Sequence, residues 1–294
     1  MRLLLSCLVT VIVILGLCVH APVVVAVTKM PDAGAYIPLQ DEFASAVVMV
    51  PRSREVLYSF KPDKLWPAAS LTKLPNALVW ARKGLPYGKV VTMKKEDEVG
   101  GGRLRLPVGS KLTLRDLWYS SITASANNAA MALARASGLT KKQFLARMNE
   151  EARRAGAVRS TFVDPTGMNP KNMTTARDMA FISDTAFRNT DIRLATVAGS
   201  YAFRVNTPQR MTKTITNTNA LLTQDNDVWV TGGKTGYLEE SRYNFVVRLR
   251  PMTGTQVADP RQELLVVVLG APTKEGSFAS AKRLAEWAWD SHRF

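Results

Sequence analysis

Three short stretches hold residue types that could carry chemistry. "PAASLTKL" (67–74) sets Ser70 and Lys73 three residues apart behind Pro67. "TASANNAA" (123–130) holds Ser125 and Asn127, and "TGGKTGYL" (231–238) holds Lys234, Thr235 and Gly236. Helical side chains three apart share a face, so Ser70 and Lys73 would meet there. A serine hydroxyl is a weak nucleophile until a base within hydrogen-bond reach takes its proton. A lysine amine serves only when neutral, and its unperturbed pKa is about 10.4. Lowering that by roughly 3 units takes about 4 kcal/mol of differential stabilisation, which burial and a second cation nearby would supply.

Each stretch also has a plainer reading. Ser-x-x-Lys behind a proline is an ordinary helix start, and Ser125 and Asn127 are both good capping types. Gly232, Gly233 and Gly236 ahead of a strand mark a turn, or the close approach of a ligand with Lys234 and Thr235 facing an anion. A phosphate-binding Walker loop would need a glycine where Val228 stands. Composition narrows the base. The chain has 2 histidines and 2 cysteines. His20, Cys7 and Cys18 lie in the N-terminal apolar run, and His292 is two residues from the end. A Ser-His-Asp triad, a Cys-His pair or a His-ligated zinc has almost nothing to be built from, so no metal or cofactor is implied.

The elements that must position these residues are legible as strand-like and helix-like runs. "ASAVVMV" (44–50) and "EVLYSF" (55–60) form a plausible hairpin across "PRSR". Residues 70–83 read as a helix with Pro75 in its first turn, and 100–109 as a glycine-rich loop. Helices are expected over 113–119, 127–136, 141–155 and 175–189, then a loop over 224–231. Lys234 is expected to begin a strand, followed by strands at "YNFVVRLRP" and "ELLVVVLGAP" and an amphipathic helix over 277–294. This order predicts an α/β (α+β) fold. N- and C-terminal segments make an antiparallel sheet flanked by helices, with an all-helical lobe inserted and a cleft between them.

Taken in order, Ser70-x-x-Lys73, Ser125-x-Asn127 and Lys234-Thr235-Gly236 match the signature shared by penicillin-binding proteins and class A β-lactamases. The flanks "WPAASLTKL", "LTLRDLWYSSITASANNAA", "DPTGMNPKNMTTARDMA" and "TNALL…TGGKTGY" narrow it. From about residue 40 to the C-terminus the chain resembles the D-alanyl-D-alanine carboxypeptidase family, the low-molecular-mass penicillin-binding proteins. The resemblance implies a β-lactamase/transpeptidase-like fold and a serine DD-carboxypeptidase acting on peptidoglycan stem peptides. Ser70 would form an acyl-enzyme, Lys73 would be the base, and Ser125 would relay a proton to the leaving D-alanine. Asn127 would orient the substrate amide, while Lys234 and Thr235 would hold the terminal carboxylate. The N–H groups of Ser70 and of Tyr237, after Gly236, would form the oxyanion hole. β-Lactam antibiotics would acylate Ser70 as covalent inhibitors.

The alternatives are an endopeptidase cutting D-alanyl cross-links, a serine β-lactamase, and a non-catalytic peptidoglycan-binding protein. No glutamate lies between Ala152 and Leu238, where a β-lactamase would keep its deacylating base. Intact Ser70 and Lys73 argue against a purely binding role. Three departures bear on substrate grip. Ala126 and Asn128 stand where the family often has Gly and Asp, and "NTNALL" (217–222) lacks an arginine that some members carry. Arg242 is the candidate substitute.

Met1-Arg2 and the apolar run through Val19 read as a secretory signal over 1–26, with Val24 and Ala26 before the cleavage point. Uncut, the run is long enough to anchor the chain in a bilayer. A lead-in over 27–39 and a catalytic domain over 40–294 are expected, with no C-terminal β-domain. The exported body would sit in the periplasm or extracytoplasmic envelope. With 39 basic and 24 acidic residues the net charge is +15. Nucleic acid is the usual partner of such a charge, but an exported chain meets an anionic membrane or cell-wall surface instead.

Overall fold

The N-terminal hairpin forms as expected, with β1 (Ser45–Val50) and β2 (Glu55–Phe60) antiparallel across a turn in which Arg54 takes φ 60°. A computed structural model describes residues 42–205, 211–224 and 227–294. The expected signal over 1–26 and the lead-in over 27–39 lie outside the described residues. After β3 (Trp66–Pro67) comes a 3-10 turn, Ala69–Thr72, and then α1 (Lys73–Lys83), so the helix starts three residues later than the sequence suggests.

The inserted lobe carries β4 (Val90–Thr92), β5 (Lys111–Thr113), α2 (Leu114–Ile122), α3 (Asn127–Ala136) and α4 (Lys141–Ala155). It continues through β6 (Met173–Thr174), α5 (Ala176–Arg188), α6 (Thr190–Val197), β7 (Ser200–Arg204), β8 (Thr212–Thr216) and α7 (Ala220–Thr223). Helices dominate it, but the ribbons β3–β6, β4–β5 and β7–β8 make it more than all-helical. Local chemistry fixes the helix ends. Thr113 with Asp116 and Thr140 with Gln143 form reciprocal capping boxes, and Gly156 closes α4 at φ 100°.

The chain returns as β9 (Val228–Leu238), β10 (Arg242–Thr253), β11 (Gln256–Val257) and β12 (Leu264–Ala271), and ends on α8 (Lys274–Ser291). The expected loop over 224–231 is corrected at its end. β9 begins at Val228, so Lys234 lies mid-strand rather than at a strand start. Strand order in the sheet is β9–β10–β12–β1–β2, antiparallel throughout, with β11 paired to the end of β10.

All eight residues of β12 are buried because both faces of the sheet are covered. Leu265, Val267 and Leu269 pack with the lobe, including Ile182 and Phe187. Leu264, Val266 and Val268 pack with Phe278, Ala281 and Leu284 of α8. Each such side chain contributes about 1.5–3 kcal/mol of burial. That makes β12 the anchor against which sheet and lobe hold a fixed distance. Among the described residues no helix is long and apolar enough to cross a membrane.

Candidate active site

Ser70 sits in the tight turn ahead of α1, on a backbone that most residues avoid. Ala69 before it takes φ 47°, a left-handed conformation that costs a non-glycine residue about 1–3 kcal/mol. Two glycines brace that turn from either side. A Cβ on Gly167 would stand 1.8 Å from the Ala69 carbonyl oxygen, and one on Gly236 would stand 3.1 Å from the Ser70 nitrogen. The Ala68 N–H also donates to the Asn172 carbonyl at 2.7 Å. The turn is therefore held by backbone on both flanks.

Lys73, the first residue of α1, is wholly buried. Its Nζ lies 2.9 Å from Ser70 Oγ, 2.6 Å from Asn127 Oδ1 and 2.7 Å from the Thr166 carbonyl oxygen. A neutral amine has two hydrogens and one lone pair. The carbonyl oxygens of Asn127 and Thr166 are pure acceptors and take the two hydrogens. The lone pair is then left for the one partner that can donate, the Ser70 hydroxyl. Burial pushes the Lys73 pKa well below its ordinary value, and the charge of Lys234 adds to the fall, while Asp164 opposes it.

Asn127 opens α3 but does not cap it. Its Nδ2 donates to the Gly100 carbonyl at 2.8 Å, and its backbone N–H to Gly102 at 2.7 Å. Ser125 is not a cap either. The N-cap position falls on Ala126, and Ser125 takes φ 59°. That conformation turns its Oγ to accept from Lys234 Nζ at 2.8 Å. Lys234 also donates to the Thr235 carbonyl at 3.0 Å, and burial lowers its pKa to about 7. Thr235 Oγ1 is 2.6 Å from Thr218 Oγ1.

These groups surround a cleft of about 410 Å3, whose lining includes Ser70, Ser125, Asn127, Thr218, Thr235 and Tyr237. Tyr237 is exposed and rests on Tyr243, ring centres 4.5 Å apart. Ser70, Lys73, Ser125, Asn127, Lys234, Thr235, Gly236 and Tyr237 thus come together from three segments of the chain. Arg242 does not join them. It lies exposed as the first residue of β10, paired with Leu238 at φ 52°, outside the cleft lining.

No side-chain motif points to Thr166, whose contribution is a backbone carbonyl. Its positioner is Asp164, which accepts from the Thr166 N–H and hydroxyl, the Gly167 and Asn169 N–H groups and Asn172 Nδ2. The Asp-Pro-Thr-Gly-Met-Asn run is a side-chain turn signal, and that signal was available in the sequence. Asn128, one of the departures, holds the loop over 100–104 by accepting from the Leu104 N–H and donating to Glu98.

A family model described as D-alanyl-D-alanine carboxypeptidase matches residues 35–273, most of the chain. The chain belongs to the D-alanyl-D-alanine carboxypeptidase family. Within it, the chain is similar to a D-alanyl-D-alanine endopeptidase of Pseudomonas aeruginosa, 32% identical, covering 90% of this chain and 84% of the relative. It is 30% identical to a D-alanyl-D-alanine endopeptidase of Escherichia coli over 91% of this chain and 83% of that one. Among solved structures, a mutant of the Streptomyces K15 DD-transpeptidase superposes with a TM-score of 0.75 at 25% identity, over 85% of this chain and 98% of that one. The mixed antiparallel sheet with its inserted lobe is thus the fold of the DD-peptidase family.

Proposed function

We propose that this chain is a serine DD-peptidase that cleaves D-alanyl bonds of peptidoglycan peptides in the cell envelope. Ser70 Oγ attacks the carbonyl carbon of the penultimate D-alanine as its proton passes to Lys73 Nζ. The N–H groups of Ser70 and Tyr237 receive the oxyanion. Collapse breaks the C–N bond, and the proton returns from Lys73 through Ser125 to the leaving amine. The acyl group remains on Ser70 until water, deprotonated by Lys73, releases it. Asn127 orients the substrate amide, while Lys234, Thr235 and Thr218 hold the terminal carboxylate. The observation that carries this reading is the Lys73 Nζ–Ser70 Oγ contact of 2.9 Å, with acceptors on both other sides of the amine.

The reading begins with a carboxypeptidase that releases terminal D-alanine. A second leaving group, the amine of a D-alanyl cross-link, is favoured by the names of the Pseudomonas and Escherichia relatives. A β-lactamase is disfavoured, because Asp164 is the carboxylate near Lys73 and its oxygens already accept from five donors. The N-terminal apolar run supports export to the envelope. The test is a fluorescent penicillin followed by a D-Ala-D-Ala-ended peptide and a cross-linked dimer. A stable adduct that Ser70→Ala abolishes is expected, together with release of D-alanine or cleavage of the dimer. No adduct on the wild-type chain refutes the serine assignment, and rapid penicillin turnover shifts it to β-lactamase.

A further inference from the structure

β9 runs on from the catalytic cleft to a second groove. It measures about 410 Å3, and its lining includes Arg193, Val197, Leu221, Leu222, Trp229 and Arg250. Trp229 is 48% exposed, unusual for an indole on a sheet strand. Arg250 gives Nη1 to the Ala258 carbonyl at 3.3 Å, but its buried Nε has no partner among the described residues. Asp259 lies close enough to Arg250 to feel its charge, and Arg248, two positions earlier on β10, is held by Glu263 at 3.6 Å, so Arg193 and the Arg250 Nε are the groove's available donors among the described residues. An exposed indole sharing a groove with two arginines, one of them with a buried Nε left without an acceptor, suits a ligand that is both ring-bearing and anionic.

The groove's place relative to Ser70 says which part of a substrate reaches it. The Ser70 backbone nitrogen lies against Gly236. Of the carboxylate-holding pair, Thr235 precedes Gly236 on β9, on the Trp229 side, and Thr218, between β8 and α7, meets it through a 2.6 Å hydroxyl contact. A leaving group therefore points back along β9 toward Trp229, and the acyl part points toward Tyr237. From Thr235 to Trp229 is six residues of strand, roughly 20 Å at about 3.3 Å per residue. Thr218 lines the cleft and Leu221 and Leu222 line the groove, so one short segment also joins the two. A single leaving D-alanine ends at Thr235 and never reaches the groove. The leaving side of a cross-link is a second stem peptide on its glycan strand, which is long enough to do so.

We infer that the Trp229–Arg193–Arg250 groove binds the leaving strand of cross-linked peptidoglycan, amino-sugar rings on the indole and stem-peptide carboxylates on the arginines. The inference rests on the DD-peptidase reading above and makes the cross-link the substrate for which the whole surface is built.

Binding and cleavage test it separately. The Ser70→Ala chain is sedimented with insoluble, purified peptidoglycan, with Trp229→Ala or Arg193→Gln added in that background. Each addition should weaken binding about tenfold, as expected for loss of a stacked ring or a charge-assisted contact, and Trp229→Phe should restore most of it. With Ser70 intact, the same substitutions should slow cleavage of cross-linked material about tenfold. Penicillin labelling and D-alanine release from a soluble pentapeptide should stay within about twofold, which also shows that the variants fold. Unchanged binding to peptidoglycan overturns the inference. So does an equal loss on the pentapeptide, or a loss confined to DNA or anionic vesicles used as competitors. Failure of wild-type penicillin labelling overturns the DD-peptidase reading instead, and sedimentation still reports on the groove.

Discussion

Replacing Lys234 with methionine should destroy activity and make the protein more stable. Lys234 is 2% exposed, and burial lowers its pKa from 10.5 to about 7. A displacement of that size corresponds to about 5 kcal/mol between the two protonation states. The unfolded chain holds the lysine proton up to its ordinary value, and the folded chain gives it up near 7. Between those values the unfolded state carries more protons, so stability rises with pH, and the full penalty applies below about 7. Methionine fills a similar volume without the charge. Ser125 Oγ and the Thr235 carbonyl lose a donor, which returns part of the gain. The net expectation is about 2–4 kcal/mol of added stability at pH 6, shrinking as pH approaches 10. Urea unfolding of both proteins at the two pH values measures it. An unchanged urea midpoint at pH 6, or a gap that does not narrow with pH, would refute the reasoning. Removing the cation also lifts the Lys73 pKa toward its ordinary value, because Lys234 is the second cause of its depression.

On the carboxylate-holding role proposed for Lys234, whose pKa burial lowers to about 7, kcat/KM of the wild-type chain should fall as pH climbs past about 7. Lys234→Arg, which keeps its charge, should remove that fall, and a flat profile to pH 9 in the wild type counts against the role. Gly167→Ala places a Cβ 1.8 Å from the Ala69 carbonyl on a backbone at φ 93°. It should cost about 2 kcal/mol or more and slow penicillin acylation, read by thermal unfolding and labelling rate. Asp164→Asn turns an amide NH2 toward donors that now find a carboxylate, costing about 1–3 kcal/mol. Because Asp164 holds the Lys73 pKa up, the acid limb of the acylation profile should also move to lower pH.

Much of this site was legible because the sequence states its local rules openly. α3 and α4 begin and end where the small-residue run, Thr140 with Gln143, and Gly156 place them. β12 is apolar at nearly every position, which only a strand covered on both faces requires. The misses have physical causes as well. β9 starts inside a span that reads as a loop, and Gly232 and Gly233 follow directly, a residue type that marks turns more often than a buried strand. Those glycines admit Phe187 and Asn219 against the backbone, where a Cβ would stand 2.7 Å from either side chain. α6, β7 and β8 are only eight, five and five residues long, too short for an apolar period to mark them. Ser125 looks like a cap by type. Its backbone conformation, which composition does not reveal, is what aims it at Lys234.

The central pairing of the sheet has a consequence for how such a chain comes into being. Ser45 through Met49 form their ladder with Leu265 through Leu269, partners more than two hundred positions further on. A growing chain therefore carries an unmatched β1 edge, and half a core, until β12 has been made. Loop closure over such a distance is slow, and an unpaired edge invites sticking to other chains in the meantime. Lys234 lies on β9, which the sheet order joins to β1 through β10 and β12, so the cleft takes its full set of residues only after most of the chain exists. The proposed nucleophile is made long before the lysine that completes its cleft.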